Sequence, residues 1–144
     1  MFKKILVPVD VDHPEAATAV YQSAVEIAKT SGAEIRLVSV MPGFGMPIVA
    51  SFISDDVRQE VRDRFNASLE KFIRENCPKP VSYSITTGKH WKEILKAADK
   101  WGADLIVVHH NRRHEINEVF SRSCAQSVAD NAKCSVLWLR NIQV

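Results

Sequence analysis

Glycine and cysteine are both scarce in this chain, with five and three among 144 residues. Cys77, Cys124 and Cys134 form no CxxC pair, which removes the usual spacing of a redox or zinc pair and suits a reducing compartment. The Gly88-Lys89-His90 triplet has no upstream glycine at phosphate-loop spacing, so it is not a phosphate-loop motif. No apolar run approaches membrane-spanning length, and MFKKILVPVD at the start lacks a signal-peptide pattern, so the expected location is the cytoplasm. Charge of one sign is missing too. A net charge of +2 is too small to imply a nucleic-acid partner. Neither a Ser-His-Asp set nor a paired-carboxylate site can be picked out, which leaves no catalytic residue to name. With no internal repeat, low-complexity segment or linker, residues 1–144 are expected to form one domain.

What is present is a regular alternation. Lys3 to Val9 is nearly all apolar after its lysines, as expected for a parallel strand buried on both faces. It runs into Asp10-Val11-Asp12-His13-Pro14, where Asp12 or His13 can cap a helix whose first turn accepts Pro14. That helix, Glu15 to Thr30, has Ala16, Val20, Ala24, Ile27 and Ala28 at helical spacing and is stopped by Gly32. A second strand, Glu34 to Val40, precedes a loop from Met41 to Ala50 dense in Gly and Pro. The helix expected from Ser54 to Asn76 opens with Asp55 and Asp56 at its positive end. Val81 to Thr87 alternates apolar and hydroxyl residues, the pattern of a half-exposed edge strand. A third helix spans Trp91 to Trp101 and stops at Gly102.

The segment Ala103 to Arg140 carries the functional signal. Leu105 to Val108 reads as a buried strand, His109 to Glu118 as a polar, basic loop. Ser121 and Ser123 open a helix ending near Ala132, and Ser135 to Leu139 is a last strand. The whole pattern, βαβαβαβαβ, predicts an α/β protein with a parallel sheet and helices on both faces. Ligands of such sheets sit beyond the carboxyl ends of the strands, where strand order reverses. A loop with Arg112, Arg113 and Arg122, feeding a serine-started helix, can meet an anion there.

ILVPVD at 5–10, GKHWKEILKAADKWGADLIVV at 88–108 and NAKCSVLWLR at 131–140 together resemble the universal stress protein family over essentially the whole chain. The loop is similar to that of its small UspF- and UspG-like branch. The resemblance implies a Rossmann-like open parallel five-stranded sheet in the order 3-2-1-4-5, with Asp10 beside the His109–Ser123 loop. Many members bind ATP or another adenine nucleotide through the signature G-x2-G-x9-G-[ST]. Its positions fall on His109, Arg112, Arg122 and Ser123, and only Ser123 keeps the residue type. Glycines let backbone N–H groups approach phosphate closely; large side chains in their place either block the cradle or supply charge-assisted contacts instead.

The nucleotide site that the resemblance implies comprises Pro8, Val9, Asp10, Val40, His109, Arg112, Arg122 and Ser123. Pro8 and Val9 would wall the base pocket, or simply end a strand. Asp10 would hold the ribose or adenine side, or serve as a turn or cap residue. Val40 would meet adenine through its backbone, or be an ordinary core valine. Arg112 and Arg122 are phosphate ligands or solvated charge. Ser121 reads as a helix cap, and the family position favours phosphate for Ser123. His109, His110 and His114 lack Cys or carboxylate partners at ligand spacing, so no metal is expected. Cys124 and Cys134 read as buried, inert thiols.

The last strand is apolar on both faces yet lies at a sheet edge in the implied order, which invites pairing with another chain. The resemblance implies a homodimer through Val136, Leu137, Trp138 and Leu139, the first and third facing one way and the other two the opposite way. The function expected is a cytoplasmic, dimeric, nucleotide-binding stress-response protein. The alternative is a dimeric adapter of the same fold that binds no nucleotide.

Overall fold

The computed structural model describes residues 1–41, 51–110 and 119–140. Nine elements follow one another: β1 (Lys4–Pro8), α1 (Pro14–Ser31), β2 (Glu34–Met41), α2 (Asp55–Asn76), β3 (Ser82–Thr87), α3 (His90–Trp101), β4 (Leu105–His110), α4 (Arg122–Asn131) and β5 (Ser135–Arg140). The five strands form one sheet, all pairs parallel as the alternating pattern predicts, in the order β3-β2-β1-β4-β5 that the family resemblance implies. Arg112, Arg113, His114 and the loop expected after Met41 lie outside the described residues.

Period-two alternation divides the core into two layers. Ile5, Val7 and Val9 of the first strand and its extension, Leu37, Leu105 and Val107 pack against Ala17, Val20 and Ala24 of α1 and Leu69 and Phe72 of α2. On the other face Leu6, Val38, Val40, Ile106 and Val108 meet Ile94 and Ala98 of α3 and Cys124, Ala125 and Val128 of α4. Leu6 and Ile106 are fully buried, each worth about 1.5–3 kcal/mol relative to exposure.

The helix ends follow local chemistry. Pro14 opens α1, whose cap position, His13, makes no side-chain cap bond; the His13 N–H instead donates to the Asp10 carbonyl at 3.0 Å. Ser54 caps α2 by accepting from the Val57 N–H at 3.3 Å. Three strand ends extend past their expected limits, β5 by the single residue Arg140. β2 includes Met41, and β4 continues through His109 and His110, which pair with Leu139 and Arg140 of β5. The histidines belong to the sheet because His109 turns its ring into the α1–α2 layer, where it lies 5.5 Å from Phe120.

Candidate functional site

Strand order reverses between β1 and β4, and register shows what stands at the carboxyl rim there. β1 last pairs with β2 at Pro8–Val38 and then turns at Asp10, whereas β2 runs on through Val40, which pairs with Thr86. β1 last pairs with β4 at Leu6–Ile106, and β4 runs on to His110, which pairs with Arg140. In strand order the row along the rim is Thr86, Val40, Asp10, His110, Arg140, with Asp10 in the turn that follows β1. By the alternation of their strands Thr86, Val40, His110 and Arg140 share the face that carries α3 and α4.

The expected site residues divide accordingly. Val40 and Pro8 belong to the α3–α4 side, Val40 being packed with Val108 and Cys124. Val9 belongs to the opposite layer, and its main chain is fully engaged. Its N–H donates to the Val38 carbonyl at 2.9 Å, and its carbonyl accepts from the buried Ser39 hydroxyl at 3.2 Å. His109 is also turned away, 1% exposed, with Nδ1 3.3 Å from the Leu139 carbonyl. Val9 and His109 therefore back the rim, and their side chains do not line the α3–α4 side of it.

Asp10 is held by its own turn. Its Oδ1 accepts from the Asp12 N–H at 2.9 Å, and Oδ2 lies 3.8 Å from His13 Nε2. The turn role and a ligand role are compatible, since a carboxylate accepts several hydrogen bonds.

Beyond β4, α4 points its amino end at this rim. Ser121 is 1% exposed and its hydroxyl accepts from the Cys124 N–H at 3.1 Å, the cap expected from sequence. Arg122 and Ser123, both exposed, form the first turn. The first N–H groups of a helix lack carbonyl partners and the helix dipole is positive there, so this turn favours an anion.

At the far end of the row, Trp138 Nε1 donates to His110 Nδ1 at 2.8 Å, and Arg140 lies 4.9 Å over the Trp138 ring. As the acceptor, that nitrogen carries no proton in this geometry. Val136 and Trp138 pack on the α3–α4 side and Leu137 and Leu139 on the other, the orientations expected. The two thiols differ: Cys124 is buried, which pushes it up to about 12, whereas Cys134 is half-buried. Among the described residues no group of three or more His, Cys, Asp or Glu could hold a metal ion. No helix among them is long and apolar enough to cross a membrane.

His110, weighed in the sequence only as a metal ligand in a loop, ends β4 instead. Ser39 and Thr86 carry no signal of a site in the sequence, Thr86 being one of several hydroxyls on an edge strand. The alternation in the third strand is the signal that assigns Thr86 a face; only register assigns it a level.

An open parallel sheet in the order β3-β2-β1-β4-β5, with a helix end at its switch point, defines an α/β protein of Rossmann-like architecture. The Universal stress protein family model matches residues 1–140, and the chain belongs to that family. It is 30% identical over 142 residues to Universal stress protein MJ0531 of Methanocaldococcus jannaschii, covering 95% of this chain and 81% of that protein. Universal stress protein G of Escherichia coli O157:H7 is 27% identical over 146 residues, covering 97% and 100%. Among solved structures, hypothetical protein MJ0577 superposes with a TM-score of 0.73 at 20% identity, covering 100% of this chain and 99% of that one. A universal stress protein of Pseudomonas aeruginosa UCBPP-PA14 gives 0.72 at 22% over 96% of this chain, which spans 47% of the larger protein. Two further likenesses are complexes. A universal stress protein with cAMP gives 0.57 at 21% identity, covering 96% of each chain. The Archaeoglobus fulgidus protein with dAMP gives 0.55 at 20%, covering 94% and 96%.

Proposed function

We propose that this chain is a cytoplasmic stress-response protein that binds an adenine nucleotide at the carboxyl ends of β1 and β4. The observation that carries the reading is the rim itself: the Asp10 turn at the strand reversal, flanked by the ends of β2 at Val40 and β4 at His110, with the exposed first turn of α4 beyond them. The cAMP and dAMP complexes of family proteins that share the fold support the same ligand class.

Each residue has a chemical task in this reading. The Asp10 carboxylate accepts hydrogen bonds from the ribose hydroxyls, and the Val40 main chain meets the base edge. Pro8 walls the base. Ser123 and Arg122 contact phosphate from the helix end, Arg122 replacing a backbone contact with a charge-assisted one, and Arg112 adds a second guanidinium. His109 stands where the family signature has glycine. Its ring is buried in the opposite layer against Phe120, so its bulk takes no room from the nucleotide side. Binding without robust turnover is the activity assigned.

The protein purified without added nucleotide and then denatured should release AMP, ADP or ATP, identified by chromatography and mass spectrometry. Emptied protein should take up ATP with a measurable heat. An empty protein that also gives no heat with ATP, ADP or AMP contradicts the reading. We also assign a homodimer through the edge strand β5, whose Val136, Leu137, Trp138 and Leu139 are only half-buried in the single chain. Light scattering should give twice the 16.2 kDa chain mass.

A further inference from the structure

Thr86 has an unusual environment for a hydroxyl. Among the described residues its Oγ1 is buried and has no hydrogen-bond partner. Burying a hydroxyl without a partner is unfavourable, and such groups are rare enough in folded proteins that each calls for a cause. The neighbouring hydroxyls on the same strand do not share its state. Ser82 accepts from Arg36 Nε at 3.1 Å. Thr86 is thus singled out by position rather than by strand composition.

That position is the carboxyl rim. Thr86 pairs with Val40, and Val40 lies two residues past the last β1–β2 pair, on the side where β1 turns at Asp10. Adjacent strands lie about 4.8 Å apart, so Thr86 stands one strand beyond Val40 and about 10 Å from the β1 position in the direction away from α4. A nucleotide with its phosphate at α4, its ribose at Asp10 and its base at Val40 extends along this row toward Thr86. The neighbouring helix contributes Trp91, packed against the same apolar layer as Val40. The far end of the base would thus meet one polar atom among apolar ones, and that atom is otherwise unsatisfied.

We infer that Thr86 is a base-recognition residue, its hydroxyl hydrogen-bonding the heteroatom edge of the purine beyond Val40. A threonine hydroxyl donates one hydrogen bond and accepts others, so it can pair with either a ring nitrogen or an amino group of the base. The inference rests on the nucleotide reading and adds to it the residue that closes the base end of the site.

The test uses Thr86→Val and Thr86→Ser in the full chain, with ATP and AMP titrated calorimetrically into each emptied protein and thermal melts recorded without nucleotide. Valine keeps the shape and loses the hydroxyl; serine keeps the hydroxyl. The expected result is a loss of roughly 3- to 10-fold in affinity for Thr86→Val, the value of one neutral hydrogen bond, for both nucleotides alike. Thr86→Ser should stay within about 2-fold of the parent on the same scale. The ligand-free melting temperature of Thr86→Val should match or exceed that of the parent, since it removes an unsatisfied polar atom. Unchanged affinity in Thr86→Val overturns the inference while leaving the nucleotide reading intact. Equal losses in both variants also overturn it, by placing the effect in packing. If the parent protein gives no heat with either nucleotide, the nucleotide reading fails and the inference fails with it.

Discussion

The two rims of the sheet are built differently. At the amino rim a set of polar groups pairs within the chain. The Asp104 carboxylate accepts from the N–H groups of Lys3 and Lys4 at 2.8 and 3.0 Å, tying the start of β1 to the turn before β4. The Lys4 ammonium donates to the Trp101 carbonyl at 3.2 Å, and the indole of Trp101 has Lys4 and Arg36 at 5.4 and 5.1 Å from its centroid. At the carboxyl rim, Thr86 has a buried hydroxyl with no partner among the described residues, and the first turn of α4 exposes Arg122 and Ser123. The contrast teaches a division of labour: one rim holds the strands together, the other keeps polar capacity in reserve for a ligand.

Substitutions should separate the two rims. The largest effect is expected from Asp10→Ala, which removes the only carboxylate in the row. Nucleotide affinity should fall roughly 10- to 100-fold by calorimetry, the value of hydrogen bonds to a charged group. Stability should fall by only about 1 kcal/mol for the lost Asp12 contact.

Asp104→Ala should do the reverse. Losing two backbone hydrogen bonds should cost about 1–2 kcal/mol in denaturant unfolding, with nucleotide affinity unchanged. Partial burial works against the ionised Asp104, but the Lys3 and Lys4 N–H groups outweigh it and hold the carboxyl below its ordinary 3.8. A lowered folded value gives stability that is present above 3.8 and lost as pH falls through the folded value. The variant should therefore show a shallower acid-side loss than the parent.

Arg122→Gln comes next. It should weaken ATP binding roughly 3- to 10-fold, weaken AMP binding less, and flatten the salt dependence of ATP affinity, because the removed contact is ionic and the exposed guanidinium is screened. Stability should not move measurably.

The smallest effect near neutral pH concerns neither rim. Burial pushes the Cys124 thiol from 9.0 up to about 12, and burial, with the neighbouring Cys77, pushes Tyr21 from 10.0 up to about 12. The unfolded chain loses these protons first, so these two groups leave stability unchanged below pH 9 and lower it progressively between about 9 and 12. Cys124→Ala should make the first part of that decline shallower, as read by melts across this range.

Much of this architecture is legible in the residues. Apolar runs locate the five strands to within about two residues, because parallel strands buried on both faces leave little ambiguity. Ser121 is readable as a cap because a hydroxyl before an apolar-periodic stretch has one common use, whereas Ser54, expected as the first residue of its helix, is its cap. His109 and His110 read as loop because histidines after an apolar run signal polarity. What keeps them in the strand is tertiary: a ring buried against Phe120 for one, an indole N–H donated to the other. The candidate site is legible as a place and less so as a set of side chains. Val9 and Val40 look equivalent in sequence, and only the pleat sends them to opposite faces. Thr86 is hidden among the hydroxyls of an edge strand until the register sets it beside Val40.

The most direct test of the division between rims is a nitrogen-15 amide spectrum of the emptied protein titrated with ATP. The account predicts shifts concentrated at Asp10, Val40, Met41, Thr86, Arg122 and Ser123, with Lys4, Trp101 and Asp104 unmoved. A spectrum unchanged at millimolar ATP, or shifts gathered at the amino rim, would contradict it.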